Sequence, residues 1–271
     1  EYDAIYSREL PCLGLALPLK LLGKKLILEL NGIPSLEVEC QRHARRPRFP
    51  FLTPWVCRWI RLLESIVFRF SDLILPVTWK MHDLLVNKHH VPEGRVHVVA
   101  NAVDVDVFKP INEVRVEMRR KLGVSDTETL VVLLSSFTAD WRRTDQLFSL
   151  IKQIREKKPD IQFLVVGAGP LLERRDADGV IFTGRVEHSL VPRYLNAADI
   201  YIHDFLKPNR MVELEGLCPI KILEAMACGK PVIAPDESEL RNMLSRARGG
   251  VCCSSLQETL LMLERLAEAP G

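Results

Sequence analysis

The sequence predicts an α/β protein built from two doubly wound domains, the first of them incomplete. Three observations carry that expectation. Uninterrupted apolar runs such as Leu130–Ser135 (LVVLLS) and Gln162–Val166 (QFLVV) read as strands buried on both faces, the mark of a parallel sheet. Amphipathic helical stretches separate such runs nearly throughout. The alternation forms two series that divide near Asn101–Pro110, and 271 residues suffice for two domains of ordinary size.

In the first series, Ala4–Tyr6 is a short strand, Pro11–Leu22 a helix, and Lys25–Leu30 (KLILEL) a strand ending at Asn31-Gly32. A polar stretch with several prolines follows, from Arg42 to Pro54. Trp55, Ile60, Leu62, Leu63, Ile66 and Val67 then give a helix over Pro54–Phe70 a broad apolar face. Leu73–Val77 is a strand, Lys80–Lys88 a helix, and Val96–Val99 a strand closed by the turn at Asn101. In the second series the helices are Glu113–Leu122, Arg143–Lys158, Val191–Ala197, Ile220–Cys228 and Leu256–Ala267. Its strands are Leu130–Ser135, Gln162–Val166, Val180–Thr183, Ile200–His203 and Pro231–Ala234. The expected domains are 1–108 and 109–271. The chain opens on Glu1 and enters a strand almost at once, so the first domain is expected to lack its leading strands.

Composition narrows the function classes. Hydrophobic residues at 47% and charged residues at 27% fit a globular chain, and a net charge of +2 implies no polyanion partner, so no nucleic acid is expected. The 7 cysteines show neither CxxC nor zinc spacing, which suits reduced, buried thiols and a cytoplasmic protein with no metal site. No apolar run approaches the roughly 20 residues of a membrane span, and Pro11–Leu22 lacks the cationic lead of a signal peptide.

The most informative run is Pro219–Ala234 (PIKILEAMACGKPVIA). Pro219 suits the first helical position, and Gly229 suits the left-handed residue that ends the helix. Lys221 and Glu224 lie three apart on one helical face. A lysine beside the unpaired N–H groups of a first turn favours a diphosphate, and a carboxylate one turn on can accept both hydroxyls of a ribose. Taken alone, the two residues are equally a surface ion pair.

This run resembles the donor-binding signature of retaining glycosyltransferases of family 4. The matching subset reads S-P-x-K-x-x-E-x-M-A-x-G-K-P-V-I-A, with Cys218 here in place of the leading serine. Other pieces fall in order along nearly the whole chain. Asn101-Ala102-Val103-Asp104 with Phe108 and Pro110 resembles the crossing between the family's domains. Val165–Pro170 resembles its V-G-x-G strand end, and Phe182–Val186 with Val191-Pro192 and Ala197–Ile200 its F-x-G-x-V…V-P…A-A-D-V segment. The resemblance implies a GT-B architecture of two Rossmann-like domains. It places Glu224 on the donor ribose, Lys221 at the diphosphate, Val186 against the nucleobase, and Pro219 and Ile220 beside the nucleotide. The loop after Leu134 matches a region with two phosphate-binding cations; Arg142 keeps the second, and Ser136 replaces the first. Catalysis is expected of Asn31, Arg142 and Lys221, with Asn31 standing where the family has a histidine. The family's earlier acid, eight positions before Glu224, falls on Gly216, and Glu215 is one place off.

The expected activity is transfer of a sugar from a nucleotide-diphosphate sugar to a hydroxyl of a glycan or lipid-linked acceptor, with retention. No cofactor is expected beyond the donor, which is a substrate. A nucleotide-sugar epimerase on the same fold, or a truncated nucleotide-binding module without catalysis, are the other readings; dependence of product on acceptor separates them. Arginines and aromatics mix over 42–61, from Arg42 and Arg45 to Trp59 and Arg61. Such a stretch either lies peripherally on an anionic bilayer or is a solvated loop whose aromatics fold onto the core. His89-His90, His188 and His203 read as ordinary histidines.

Overall fold

The structure, a computed structural model, describes residues 2–8, 18, 20–44, 53–135, 144–169, 179–203 and 210–268. The chain falls into two compact units, Glu1–Asn101 with Pro208–Cys218, and Ala102–Lys207 with Pro219–Gly271. The sequence division after residue 108 therefore lies past the observed boundary, and it misses the return of Pro208–Cys218 to the first unit. Two hydrogen bonds hold that return: Asn101 Nδ2 donates to the Cys218 carbonyl at 2.7 Å, and the buried Ile33 N donates to Glu215 Oε1 at 2.8 Å.

The first unit is a parallel sheet of β1 (Ala4–Ser7), β2 (Lys25–Leu30) and β3 (Leu73–Pro76) in that order. Leu26, Leu28 and Leu30 point to one face of β2 and pack with Ile74, Val67 and Phe68. Helices α1 (Pro34–Ala44) and α2 (Thr53–Phe70) follow β2, and α3 (Trp79–Asp83) follows β3. The expected helix over Lys80–Lys88 is α3 continued by a wider turn, Leu84–Lys88, and Thr78 caps its start by accepting from Met81 N at 3.1 Å. Only the end of the Pro11–Leu22 helix is described, closing at Gly23. The expected strand Val96–Val99 is not one. It runs along β3 through a single bridge, Ile74 to Val96, and two hydrogen bonds, from His97 N to Ile74 O and Val99 N to Pro76 O. Of these four residues only Val96 is buried, so there is no second face to hold a ladder.

Helix α1 goes beyond the sequence expectation, although Pro34 after Gly32-Ile33 and Glu37 in the first turn are fair start signals. Two buried glutamates secure its entry: Glu215 accepts from Ile33 N, and Glu64 of α2 accepts from Ser35 N at 2.6 Å. Burial pushes Glu215 up to about 8, with Glu37 and Glu64 nearby adding to the rise, and burial also raises Glu64.

The second unit is a six-stranded parallel sheet, β6-β5-β4-β7-β8-β9. Its strands are β4 (Thr129–Leu134), β5 (Ile161–Val166), β6 (Val180–Gly184), β7 (Ile200–Ile202), β8 (Val232–Pro235) and β9 (Gly250–Cys253). Counted along the chain this is the order 3-2-1-4-5-6 of a doubly wound sheet, with its switch point between β4 and β7. Helices α4 (Asn112–Leu122), α5 (Thr144–Lys157), α6 (Val191–Ala197), α8 (Ile220–Ala227), α9 (Ser238–Ala247) and α10 (Leu256–Glu268) complete it, while α7 (Arg210–Glu215) belongs to the first unit. The α5 and α10 residues Leu150, Ile154 and Leu263 meet Val131, Phe163 and Ile233 of the sheet in one core.

Helices α7 and α9 and strand β9 are likewise additions to the expected elements. Helix α9 starts where Glu237 accepts from Glu239 N at 2.9 Å and Leu240 N at 3.1 Å, a capping role less usual for glutamate than for aspartate. Cys57, Cys218, Cys228, Cys252 and Cys253 are free thiols, and burial pushes Cys228 and Cys253 up to about 11.

The start of β7 is tied to α4 by charge. Asp199 accepts from Arg115 Nη2 at 2.6 Å, Arg119 Nη1 at 3.0 Å and Leu130 N at 2.7 Å, and Arg119 is 1% exposed. Asp199→Ala strands a buried guanidinium, so chemical denaturation should show a loss of about 3–5 kcal/mol. A second expectation concerns pH. Glu215 is raised in the folded state, so its protonated form adds stability below about 4.5, and that stability is lost as pH rises towards 8. The thermal midpoint should therefore fall between about pH 5 and 8, and Glu215→Gln, which keeps an oxygen for Ile33 N, should flatten the fall.

Candidate donor site

Strands β4, β5 and β6 end side by side, and the segments that leave them wall a cavity of ≈ 430 Å³ in the second unit. Leu134 and Ser135 come from the end of β4, Val166–Ala168 from β5, and Arg185 and Val186 from β6. Helix α8 contributes Lys221 and Glu224, and His188 and Val191 close the remaining side. This is the crevice beyond the carboxyl ends of the strands, next to the switch point, where doubly wound sheets bind ligands.

Part of the wall is backbone. Ser135 N donates to Val166 O at 3.1 Å and Gly167 N to Gly184 O at 3.1 Å, drawing the three strand ends together. Gly167 has φ +135°, and a Cβ there would lie 1.8 Å from the Ser135 carbonyl oxygen. Only glycine fits this position.

Helix α8 follows from its sequence with one adjustment. Pro219 precedes the first helical residue instead of occupying it, and Ile222 N donates to its carbonyl at 3.1 Å. The far end is as expected: Gly229 takes φ +71°, with Gly229 N on Met226 O and Lys230 N on Ala225 O, a Schellman closure. The helix therefore spans about two turns, setting Lys221 in the first and Glu224 in the second. Lys221 Nζ donates to Leu134 O at 3.3 Å, at the carboxyl end of β4. The Glu224 side chain is 4% exposed, and its Oε1 lies 2.7 Å from His188 Nε2.

The structure thus brings Val186, Lys221 and Glu224 to one cavity, with Pro219 and Ile220 leading into the same helix. Ser136 and Arg142 lie outside the described residues. Asn31 belongs to the first unit, where its Nδ2 donates to Glu29 Oε1 at 3.0 Å, beside Tyr6 and Arg8, which also bind Glu29. Glu215, one place from the position of the family's earlier acid, is also in the first unit, where it is buried and accepts from Ile33 N. Two lining residues carry more than their sequence positions suggest. His188 holds Glu224 and packs 5.5 Å from the Phe108 ring, and Arg185 puts a second cation on the wall. The signal for His188 is its place just after Val186, but sequence spacing does not show a residue reaching to a helix 36 positions away.

Gly167→Ala should cost about 2 kcal/mol or more, read as a lower thermal midpoint, because two strand ends must separate to admit the methyl group.

Comparison with known proteins identifies the family. A family model described as glycosyl transferases group 1 matches residues 128–267, just over half of the chain and most of the second unit. A mannosyltransferase of Corynebacterium glutamicum, named as GDP-mannose-dependent and acting on monoacylated phosphatidylinositol monomannoside, is 34% identical over 185 residues. That match covers 64% of this chain and 46% of the relative. A GDP-mannose-dependent phosphatidylinositol monomannoside mannosyltransferase of Mycolicibacterium smegmatis is 31% identical over 54% of this chain and 37% of its own length. The chain thus spans less than half the length of these relatives. Among solved structures, Anabaena Alr3699/HepE in complex with UDP superposes with a TM-score of 0.74 over 98% of this chain and 69% of that one, at 19% identity. That likeness shows a shared GT-B fold, of which this chain covers part. On its second unit and its fold, the chain belongs to the glycosyl transferases of group 1, the family 4 enzymes with GT-B architecture.

Proposed function

We propose that the protein transfers a hexosyl group from a nucleoside-diphosphate sugar to an acceptor hydroxyl, with retention at the anomeric carbon. One observation carries this reading: Lys221 and Glu224 face one cavity, with the first-turn N–H groups of α8 beside them. An ionised carboxylate accepts from a ribose diol, while the cations and the helix start attract the diphosphate. Arg185 and Lys221 supply positive charge on the described walls, and Arg142 adds to it in the proposal; together they offset the missing cation at Ser136.

The chemistry is dissociation followed by capture. The bond from the anomeric carbon to the diphosphate oxygen breaks, and its electron pair leaves with the diphosphate. The acceptor oxygen then bonds to that carbon from the same face, and its proton passes to the departing phosphate oxygen. The protein's share is to hold the developing charge and to fix the geometry of attack, both of which lower the barrier substantially. The reaction as proposed uses side chains and helix N–H groups, with no cofactor beyond the donor. The relatives' names support a lipid-linked acceptor over a free glycan; a peripheral place on the bilayer for the 42–61 region belongs to the same proposal and rests on its mix of arginines and aromatics.

The test is calorimetry with GDP-mannose and UDP-glucose. One of them should bind, and Glu224→Ala should weaken it by at least about tenfold, roughly 1.4 kcal/mol. Unchanged affinity in that variant would remove the ribose assignment.

A further inference from the structure

Helix α2 has apolar residues on two faces, and only one of them is buried. Cys57, Val67 and Phe68 point inward with Glu64, at 6%, 1%, 1% and 0% exposure. On the other side Trp55, Trp59, Leu62, Leu63 and Phe70 are 64%, 62%, 49%, 52% and 45% exposed. At 100° per residue these five, with half-buried Ile66 among them, fall on one stripe along a helix about 27 Å long. A lone exposed leucine needs no explanation, but a continuous stripe with two tryptophans marks a contact surface.

We infer that this stripe lies on the surface of an anionic lipid bilayer. Charge decides between occupants. Arg58 and Arg69 are exposed along one margin of the stripe, Arg61 lies behind them in an ion pair with Glu39, and Glu64, the only acid on the helix, is buried. An apolar face edged by arginines is the pattern of a helix seated in the interfacial plane, its arginines at headgroup phosphates. Tryptophan suits that depth, with an apolar ring and one polar N–H. Two copies of this chain joined through the stripe would instead bring like-charged arginine margins together with no exposed acid on either helix to offset them. Among the described residues no helix is long and apolar enough to cross a membrane, so the contact is one of lying on, not spanning. The surface overlaps the expected 42–61 stretch but centres on Trp55–Phe70, and 45–52 lie outside the described residues. The inference deepens the lipid-linked acceptor reading by naming the surface that would bring the enzyme to its acceptor, yet it stands on the exposed face alone.

The experiment is co-sedimentation of the full chain with vesicles of phosphatidylcholine, with and without about 30% phosphatidylglycerol, at low and high salt. The expected result is binding to the anionic vesicles that salt weakens. Trp59→Glu should cut partitioning by about tenfold or more, with Trp55→Glu as the second variant if that one fails to fold. Arg58→Gln combined with Arg69→Gln should remove the preference for phosphatidylglycerol. Leu261→Glu, a 44% exposed leucine of the second unit, should change nothing. Circular dichroism checks that each variant is folded. Absence of binding by the folded wild type at low salt overturns the inference, and so does full binding by folded Trp59→Glu. A dimer that Trp59→Glu dissociates, with no vesicle binding, assigns the face to a second copy instead. Vesicle binding needs no nucleotide, so it and the donor assay fail independently.

Discussion

Asp199 accepts three hydrogen bonds from two elements: two guanidinium groups of α4 and the Leu130 N–H at the second position of β4. It sits just before β7, so one carboxylate fixes where β7 starts relative to β4. Those are the two strands between which the sheet reverses direction of growth, and the crevice used for ligands opens there. Arg119 makes the tie costly to break, since its 1% exposed guanidinium also donates to the carbonyls of Ala197 at 3.1 Å and Glu128 at 2.6 Å. A buried charge with several acceptors is a specific device, because another register would cost it the contacts with Asp199 and the Ala197 carbonyl. The cavity lies beside this junction, lined by the segments that leave β4, β5 and β6 and by α8.

Within that frame the cavity is shaped by close approach as much as by side chains. Gly167 lets the ends of β4 and β5 meet at a distance that no side chain tolerates, and the resulting backbone wall faces the start of α8. Lys221 spans from that helix to the β4 carbonyl, so the position of its ammonium is set by two elements at once. Glu224 is held in the same way, by burial and by His188. Both groups are therefore arranged before a ligand arrives, which reduces the ordering cost of binding.

How much of this could be read from the sequence follows from the range of each interaction. Five of the six strands of the second unit, α8 and its Gly229 closure rest on local patterns and were legible, whereas β9 and the order of the strands were not. The grouping of Val186, Lys221 and Glu224 was legible too, because their motifs travel with strand and helix ends. Helices α1 and α9 were not, since each begins with a glutamate cap or with carboxylates from distant segments instead of a serine or aspartate next door. The boundary between units was misplaced for a related reason. Glu215 reaches Ile33 across 182 positions, and no local pattern announces that a segment will return to an earlier unit.

Helix α2 shows the same limit in its sharpest form. Its apolar residues cover a face wider than the core takes up, so hydrophobicity alone does not choose which part of that face is inside. The choice falls to Glu64. Its carboxylate takes the Ser35 N–H at the start of α1, where the unpaired N–H groups of a helix favour an acceptor, and burial raises it without removing that bond. Turning the helix by half a revolution would bury the tryptophans but leave Ser35 N without this acceptor and bring arginines toward the core. The polar contact fixes the rotation, and the rotation leaves Trp55, Trp59 and Phe70 facing outward. The exposed stripe is thus a consequence of how the first unit folds, set by the same contact that seats the opposite side of the helix in the core.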